Sequence, residues 1–188
     1  MTKPIKLSTP APAERTFADR MALRLRRAPG GNALFGLVFR LKPGSWFRSR
    51  MARVLVERTI AALNRKDWEL FTANFAPDVE YVMARRGGGP AWAGADDVYL
   101  GREGVKRFHL AWAEDWGRME HKPVELYDLG DRAVLLAEMR GVGRASGVEF
   151  FQRYGVVNDL DRRAGFTTCV RFFLDWDEAL REAGVEAQ

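Results

Sequence analysis

The polar side chains best placed for chemistry interrupt a strand that is otherwise apolar. Residues 133–139 have the sequence AVLLAEM, and a run that is apolar on both faces predicts a strand covered from both sides. Glu138 interrupts this run, and Arg140, two residues further on, points to the same face of the strand. Because a buried charge needs a partner, the spacing predicts an ion pair on the inner face of the sheet.

Two roles are open for this pair. Apolar walls favour the protonated form of a carboxyl group and suit Glu138 to general-base catalysis, whereas Arg140 favours the carboxylate and a plain ion pair. The pair is therefore either catalytic, or structural and substrate-orienting. Both alternatives make these two residues the first candidates for a functional site.

The rest of the chain must position these residues, and its patterns predict an α+β fold. Alternating apolar residues and glycine-rich turns predict three antiparallel strands between 131 and 175. The other predicted elements are helices at 48–64, after Asp67, at 101–116 and from Asp175, strands at 79–83 and 119–129, and a loop at 85–97. Such a chain predicts a cone: a curved mixed, mostly antiparallel sheet wrapped around the N-terminal helices, with a central pocket.

Length and composition limit the classes of protein. A chain of 188 residues with 47% hydrophobic residues can bury one core, which predicts one domain (46–188) and an extension (1–45) rather than a two-domain enzyme. The single cysteine, Cys169, excludes an internal disulfide. Neither a signal peptide nor an apolar run long enough to span a bilayer is apparent. We therefore expect a soluble, cytoplasmic protein.

The basic charge of the chain belongs to its front part, which includes the extension. Residues 1–66 contain 15 Lys and Arg against 3 Asp and Glu, whereas residues 67–188 contain 15 against 22. We expect residues 1–12 to be disordered and residues 14–27 to form a short basic amphipathic helix, followed by a second apolar piece. The extension either packs on the domain or attaches to a membrane surface through residues 13–45. No nucleic-acid motif accompanies the charge, so nucleic acid is not an expected partner.

Several short passages of the chain resemble SnoaL-like members of the nuclear transport factor 2-like superfamily, over about residues 50–185. The passages are AALN at 61–64 with Asp67 and FAPDVE at 75–80, GREGV at 101–105 with Phe108 and Trp112, GRASGV at 143–148, and FLDWDEAL at 173–180 with AG at 183–184. The resemblance implies a cone-shaped α+β fold with a small-molecule pocket. It also implies a homodimer formed through the outer face of the sheet, and no cofactor.

This chain has only some of the catalytic residues of these relatives. Steroid isomerases of the superfamily have a carboxylate base and a tyrosine donor where this chain has Met83 and Thr59. Limonene epoxide hydrolases use a tyrosine, an asparagine, an arginine and two aspartates, of which only the tyrosine, Tyr81, is present. SnoaL-type polyketide cyclases use a pocket Asp or His, for which Glu138 is the nearest candidate. The predicted catalytic residues are therefore Glu138, Arg140 and Tyr81.

The alignment also predicts a pocket lined by aromatic and apolar side chains. The predicted ligand-binding residues are Trp68, Met83, Trp92, Phe108, Trp112, Phe150, Gln152, Tyr154 and Phe172. Such a lining suits an apolar or aromatic small molecule, although the same side chains would also fill a closed core. We expect His109 and His121 to be partly exposed and uncommitted, because their spacing does not predict a metal site. Cys169 is expected to face away from the pocket.

Two functions are consistent with these observations. The first is an acid/base cyclase or isomerase that acts on a polyketide-, terpenoid- or steroid-like compound. The second is a non-catalytic ligand-binding or protein-interaction module, with the basic extension as its attachment segment. The shape of the pocket separates them, because a closed, filled core around Glu138 and Arg140 would remove the catalytic alternative.

Overall fold

The structure is a computed structural model that describes residues 3–8, 14–28, 30–83, 98–114 and 116–185. Within these ranges the chain forms an α+β fold, as predicted. The helices are α1 (Phe17–Arg27), α2 (Gly31–Arg40), α3 (Trp46–Asn64), α4 (Trp68–Thr72), α5 (Gly101–Glu114) and α6 (Trp176–Glu182). No helix in the described part of the chain is long and apolar enough to cross a membrane.

The strands form one curved sheet. They are β1 (Ile5–Lys6), β2 (Phe75–Met83), β3 (Val98–Leu100), β4 (Trp116–Asp128), β5 (Arg132–Gly143), β6 (Glu149–Asp161) and β7 (Phe166–Phe173). Their order is β1-β4-β5-β6-β7-β2-β3, and all neighbours are antiparallel except β2 and β7. This confirms the predicted antiparallel strands β5, β6 and β7. The predicted loop at 85–97 lies outside the described residues.

Helices cover both faces of the sheet. The concave face packs against α3, α4 and α5, and its buried core includes Val105, Phe108 and Phe172. On the convex face, Val134 and Leu136 of β5 pack with residues of α6. The helix α6 begins at Asp175, whose side chain accepts a hydrogen bond from the backbone N–H of Glu178 at 2.9 Å, as expected for an N-cap. Because both faces are covered, the apolar run of β5 has no solvent-facing side.

The extension is folded onto the domain in its described part. Ile5 pairs with Leu126 of β4, so the prediction that residues 1–12 are disordered is wrong for this segment. Thr16 begins α1 with a reciprocal capping box. Arg15 of the extension binds both carboxylate oxygens of Asp67 at 2.5 Å. These contacts explain why the segment is ordered. Edge-strand pairing and ion pairs offset the conformational entropy that a segment with little apolar mass loses when it is ordered.

A buried ion pair joins α3 to the sheet and to the end of α2. Arg48 is 1% exposed, and its Nε and Nη2 donate to the two carboxylate oxygens of Asp128 at 2.7 and 2.6 Å. The same guanidinium donates to the backbone carbonyls of Phe39, Leu41 and Gly130. A buried charge that loses its partner is strongly destabilising, so this pair holds the extension and the domain in one arrangement.

We expect Arg48→Met to lower the free energy of unfolding by about 3–5 kcal/mol, because Asp128 would be left buried without its partner. Arg50→Met, an exposed position on the same helix, is the matched control and should change the free energy by less than about 0.5 kcal/mol. Urea unfolding of both variants measures the difference. Equal effects of the two substitutions would contradict the role given to Arg48.

Candidate functional site

A cavity of about 130 Å³ lies between α3 and the concave face of the sheet. Its walls are mainly apolar and come from α3, α4 and the strands β2, β4, β5, β6 and β7. They include Leu55, Val56, Ile60, Phe71, Leu135, Val156 and Phe172. Polar side chains also line it, among them Tyr81, His109 and Tyr154, together with the Arg48–Asp128 ion pair. An apolar cavity with a few convergent polar groups is the usual form of a small-molecule site.

His109 is the side chain of this cavity best suited to proton transfer. It lies on α5, is buried, and its ring packs edge-on against Phe71 and Phe108 with centroids 4.9 Å apart in each case. Its Nε2 atom is buried and has no hydrogen-bond partner among the described residues. Burial, together with the neighbouring His121, holds the pKa of His109 well below its usual value. The imidazole is therefore neutral at pH 7 and can accept a proton.

His121 forms a second buried imidazole beside the first. The ring centroids of His109 and His121 are 6.3 Å apart. The backbone of His121 is fixed by Asn64 at the end of α3, whose side chain accepts from the N–H of His121 and donates to its carbonyl, both at 2.8 Å. Burial lowers the pKa of His121 to about 4. This imidazole is also neutral at pH 7.

Tyr154 connects His121 to the cavity. The Nδ1 atom of His121 lies 3.0 Å from the hydroxyl oxygen of Tyr154. Burial raises the pKa of the Tyr154 hydroxyl, so the tyrosine stays protonated and its hydroxyl shares a hydrogen bond with Nδ1, whose donor is set by the tautomer of His121. The ring of Tyr154 stacks on Phe172 with centroids 5.0 Å apart. Tyr154 is thus held in position by a hydrogen bond and by stacking.

The predicted ligand-binding residues divide into two groups. Tyr154 and Phe172 line the cavity. Phe108, Met83 and Trp112 belong to the same core or pack against it, but the cavity wall does not include them. Phe108 contacts the rings of Tyr81 and His109, and Trp112 contacts the ring of Phe172, so these two side chains help to position residues of the cavity wall.

The other predicted ligand-binding residues lie elsewhere or outside the described residues. Trp68 packs edge-on against Phe71 on the side of α4. Phe150 stacks on Trp116 with ring centroids 3.9 Å apart, and Gln152 donates to the backbone carbonyl of Leu174 at 2.7 Å. None of the three lines the cavity. Trp92 falls in the part of the chain that the structure does not describe.

The prediction that Glu138 and Arg140 face the pocket is wrong. They alternate with Ala137 and Met139, which belong to the inner core, so their side chains lie on the convex face. There Glu138 pairs with Lys122 at 3.8 Å, and the guanidinium of Arg140 lies 5.5 Å from the centre of the Phe151 ring. The error arose because α6 covers this face too, which made the strand apolar on both sides and hid its inner face.

The expectation that both histidines are partly exposed is also wrong, because His109 and His121 are buried. For His109, the sequence does indicate burial. Position 109 completes the helical apolar stripe formed by Val105, Phe108 and Trp112, which places it on the inner side of α5. The sequence around His121 does not indicate burial, because Tyr154, which helps to bury it, is 33 residues away in the chain.

The protein belongs to the SnoaL-like domain family, which its sequence matches over residues 56–165. Solved structures share the fold. TerC, co-crystallised with polyporic acid, is 23% identical and aligns over 69% of this chain and 94% of its own, with a TM-score of 0.56. No curated protein was found that matches the sequence.

Two further solved structures have the same fold. A Catenulispora acidiphila protein with a ketosteroid isomerase-like fold, in complex with trimethylamine, is 17% identical over 70% of this chain and 93% of its own, with a TM-score of 0.52. A Mycobacterium tuberculosis protein in complex with estradiol-17β-hemisuccinate is 16% identical over 66% of this chain and 93% of its own, with a TM-score of 0.50.

We expect the stability of the protein to fall as the pH is lowered through the range set by the buried imidazoles. The pKa of His121 is about 4 in the folded protein and returns to about 6.5 on unfolding. Between these values the unfolded chain binds a proton that the folded chain does not, so acid favours unfolding. His121 alone should contribute a loss of about 3 kcal/mol between pH 7 and pH 4.

Denaturant unfolding at a series of pH values measures this loss. The His121→Asn variant is the control, since it removes the titrating group and leaves the carboxylates unchanged. Its free energy of unfolding should depend less steeply on pH than that of the wild type over this range. An unchanged slope would mean that His121 is not held neutral by burial.

Proposed function

We propose that this protein binds an apolar or aromatic small molecule in its inner cavity and catalyses proton transfer on it, with His109 as the acid/base residue. The observation that carries the proposal is His109, whose side chain lines the cavity and whose buried Nε2 atom has no partner among the described residues. A buried polar atom is costly unless something completes its hydrogen bonding. A ligand with an acidic C–H or O–H group would do so.

The size of the cavity supports an aromatic or alicyclic ring as the part of the ligand that enters it. The volume is about 130 Å³, close to the roughly 150 Å³ of an engineered apolar cavity that binds benzene. It is smaller than the roughly 300–1,000 Å³ of drug-sized sites. One ring can therefore be enclosed beside His109 while the rest of the ligand extends outward.

The chemistry follows from the protonation states. Neutral His109 takes a proton from a carbon next to a carbonyl group, and the electron pair of the broken C–H bond moves to the carbonyl oxygen. Burial raises the pKa of Tyr81 well above its usual value, so its hydroxyl stays protonated and can donate a hydrogen bond to that oxygen. The proton then returns from His109 to carbon. Ring closure and double-bond isomerisation both begin with this step.

Membership of the SnoaL-like family and the small molecules bound in structures of similar fold support a small-molecule site. We propose a polyketide-, terpenoid- or steroid-like compound as the ligand class, because such compounds combine fused rings with carbonyl groups. Tyr81 keeps the role assigned to it from the sequence. His109 takes the role assigned there to Glu138 and Arg140.

We expect the protein to accelerate exchange of the α-protons of 2-tetralone, an aromatic ketone, for deuterium in D₂O. His109→Gln should reduce the acceleration by at least about 100-fold, since general-base catalysis contributes about 10²–10⁴. Glu138→Gln, on the convex face, is the matched control, and this variant should catalyse exchange of the α-protons at the wild-type rate. Proton NMR of the ketone follows the reaction.

Equal rates in wild type and His109→Gln would contradict the catalytic role of His109. A protein that binds the ketone in the cavity without accelerating exchange would instead support the second function, a non-catalytic ligand-binding module. Binding is measured separately by thermal unfolding, because a ligand that prefers the folded state raises the melting temperature. The two functions are thereby distinguished in one set of samples.

We further propose that the basic extension attaches the protein to an anionic membrane surface. Large apolar side chains of this segment remain exposed although its helices pack on the domain, among them Phe17, which is 72% exposed. Trp46, which directly follows the segment at the start of α3, is 76% exposed. Met21 and Leu25 follow Phe17 at four-residue spacing on α1 and are also exposed. An apolar stripe among arginines is typical of a helix lying in the interface of an anionic bilayer.

We expect the wild-type protein to co-sediment with vesicles containing phosphatidylserine and not with vesicles of phosphatidylcholine alone. A double variant, Phe17→Ser with Trp46→Ser, should lose about tenfold or more in binding, because it removes two exposed apolar anchors. Phe151→Ser, exposed on the sheet at 50%, is the control and should bind as the wild type does. Unchanged binding of the double variant would contradict membrane attachment.

A homodimer through the convex face of the sheet stays a prediction. The helix α6 covers the part of this face formed by Val134 and Leu136, which leaves the region of Phe151 and Arg140 for a second copy. Sedimentation equilibrium decides between monomer and dimer, and a monomer at all concentrations tested would remove the proposal.

A further inference from the structure

A second site lies next to the inner cavity and shares a residue with it. A surface groove of about 440 Å³ runs between α1, α4 and α5. Its walls include Leu23, Arg26, Trp68, Thr72, Arg102 and Lys106. Arg26 also lines the inner cavity. The guanidinium of Arg26 therefore stands between the groove and the cavity.

Two arginines of this groove have no carboxylate partner among the described residues. Arg26 donates to neutral oxygens only: to Asn74 Oδ1 at 2.6 Å, to Asn32 Oδ1 at 3.2 Å and to the carbonyl of Gly165 at 3.4 Å. Arg102 donates from Nε and Nη2 to the backbone carbonyl of Phe75, at 2.9 and 2.7 Å. Both guanidinium groups retain further N–H donors, since each has five.

Other charges of the groove are already neutralised. Arg27 pairs with Glu69, and Lys106 lies 3.7 Å from Glu103. The two acidic residues of the groove wall are thus engaged by other cations. Arg26 and Arg102 are therefore the cations of the groove wall that have no acidic partner among the described residues.

The two guanidinium groups line the same groove, lie beside the same aromatic ring and belong to partly buried residues. Their central carbons lie 5.7 and 5.5 Å from the centre of the same ring, that of Phe166. Burial and the positive charge of Arg102 lower the pKa of Arg26 to about 10. Two positive charges that are partly removed from water repel each other, and this arrangement is unfavourable unless an anion binds beside them.

Arg26 is also fixed in position. Its guanidinium carbon lies 3.9 Å from the centre of the Phe35 ring, and three acceptors hold its N–H groups. A guanidinium held in this way loses little conformational entropy when it binds an anion. Its planar arrangement of donors matches a carboxylate, which accepts two parallel hydrogen bonds.

We infer that Arg26 and Arg102 bind a carboxylate group of the ligand whose apolar body enters the inner cavity. The inference rests on the proposed function and names its substrate class: an apolar or aromatic carboxylic acid. The carboxylate lies in the groove beside both guanidinium groups, and the ring passes Arg26 to reach His109. The arginines then determine specificity, and His109 performs the chemistry.

The experiment compares 2-naphthoate with its neutral analogue 2-naphthamide by isothermal titration calorimetry. We expect wild type to bind 2-naphthoate at least tenfold more tightly than 2-naphthamide. Arg26→Gln and Arg102→Gln should each remove most of this preference without changing the affinity for the amide. Arg24→Gln, an exposed position on the same helix outside the groove wall, is the matched control and should keep the preference for 2-naphthoate. Arg26→Lys, which retains the charge but loses the two parallel donors, should keep part of the preference for 2-naphthoate.

Equal affinity of wild type for the two compounds, or no binding of 2-naphthoate, would overturn the inference. So would a preference that survives both Arg26→Gln and Arg102→Gln. Failure of the proposed function gives a different result. In that case Ala133→Phe, which fills the inner cavity from its wall, leaves binding of 2-naphthamide unchanged while the arginine variants still abolish the preference for 2-naphthoate.

Discussion

The buried guanidinium of Arg48 holds this structure together. It makes five hydrogen bonds, two to Asp128 and three to backbone carbonyls of α2, its following residue and the turn between β4 and β5. An arginine removed from water is stable only if all of these partners stay in place. The pair therefore couples the extension, the first long helix and the sheet, and both of its members line the inner cavity.

The interior that results is mainly apolar, and this environment sets the chemistry available to it. Burial penalises charged forms, so it lowers the pKa of His109 and His121 and raises the pKa of Tyr81 and Tyr154. Two neutral imidazoles and two protonated phenols are a set of proton acceptors and donors at neutral pH. The same burial thus fixes the resting protonation state of the site.

Much of the fold could be predicted from the sequence because local patterns determine it. The caps at Asp67 and Asp175 were recognised from residue type alone, and both accept the expected backbone hydrogen bond. The face of β5 could not be predicted, because α6 packs on its convex side and removes the alternation that normally marks the inner face. Local patterns also gave no indication of the edge pairing at Ile5, which depends on a partner strand about 120 residues away in the chain.

The candidate site was harder to predict than the fold for the same reason. The family resemblance indicates Tyr81, Tyr154 and Phe172 as pocket residues, whereas it gives no role to His109, although the helical position of His109 points inward. The Tyr154–His121 contact joins two strands that are not neighbours in the sheet. No local spacing encodes such a contact. Only the curvature of the sheet brings the two side chains together.

The most direct test of this account is long-range ¹H–¹⁵N NMR of the two histidine side chains at pH 7 while 2-tetralone is added. The account predicts that both imidazoles are neutral and that the Nε2 resonance of His109 shifts on binding, with no such shift in Ala133→Phe. A cationic His109 at pH 7, or an unchanged Nε2 resonance while the ketone binds, would contradict the assignment of the inner cavity as the site.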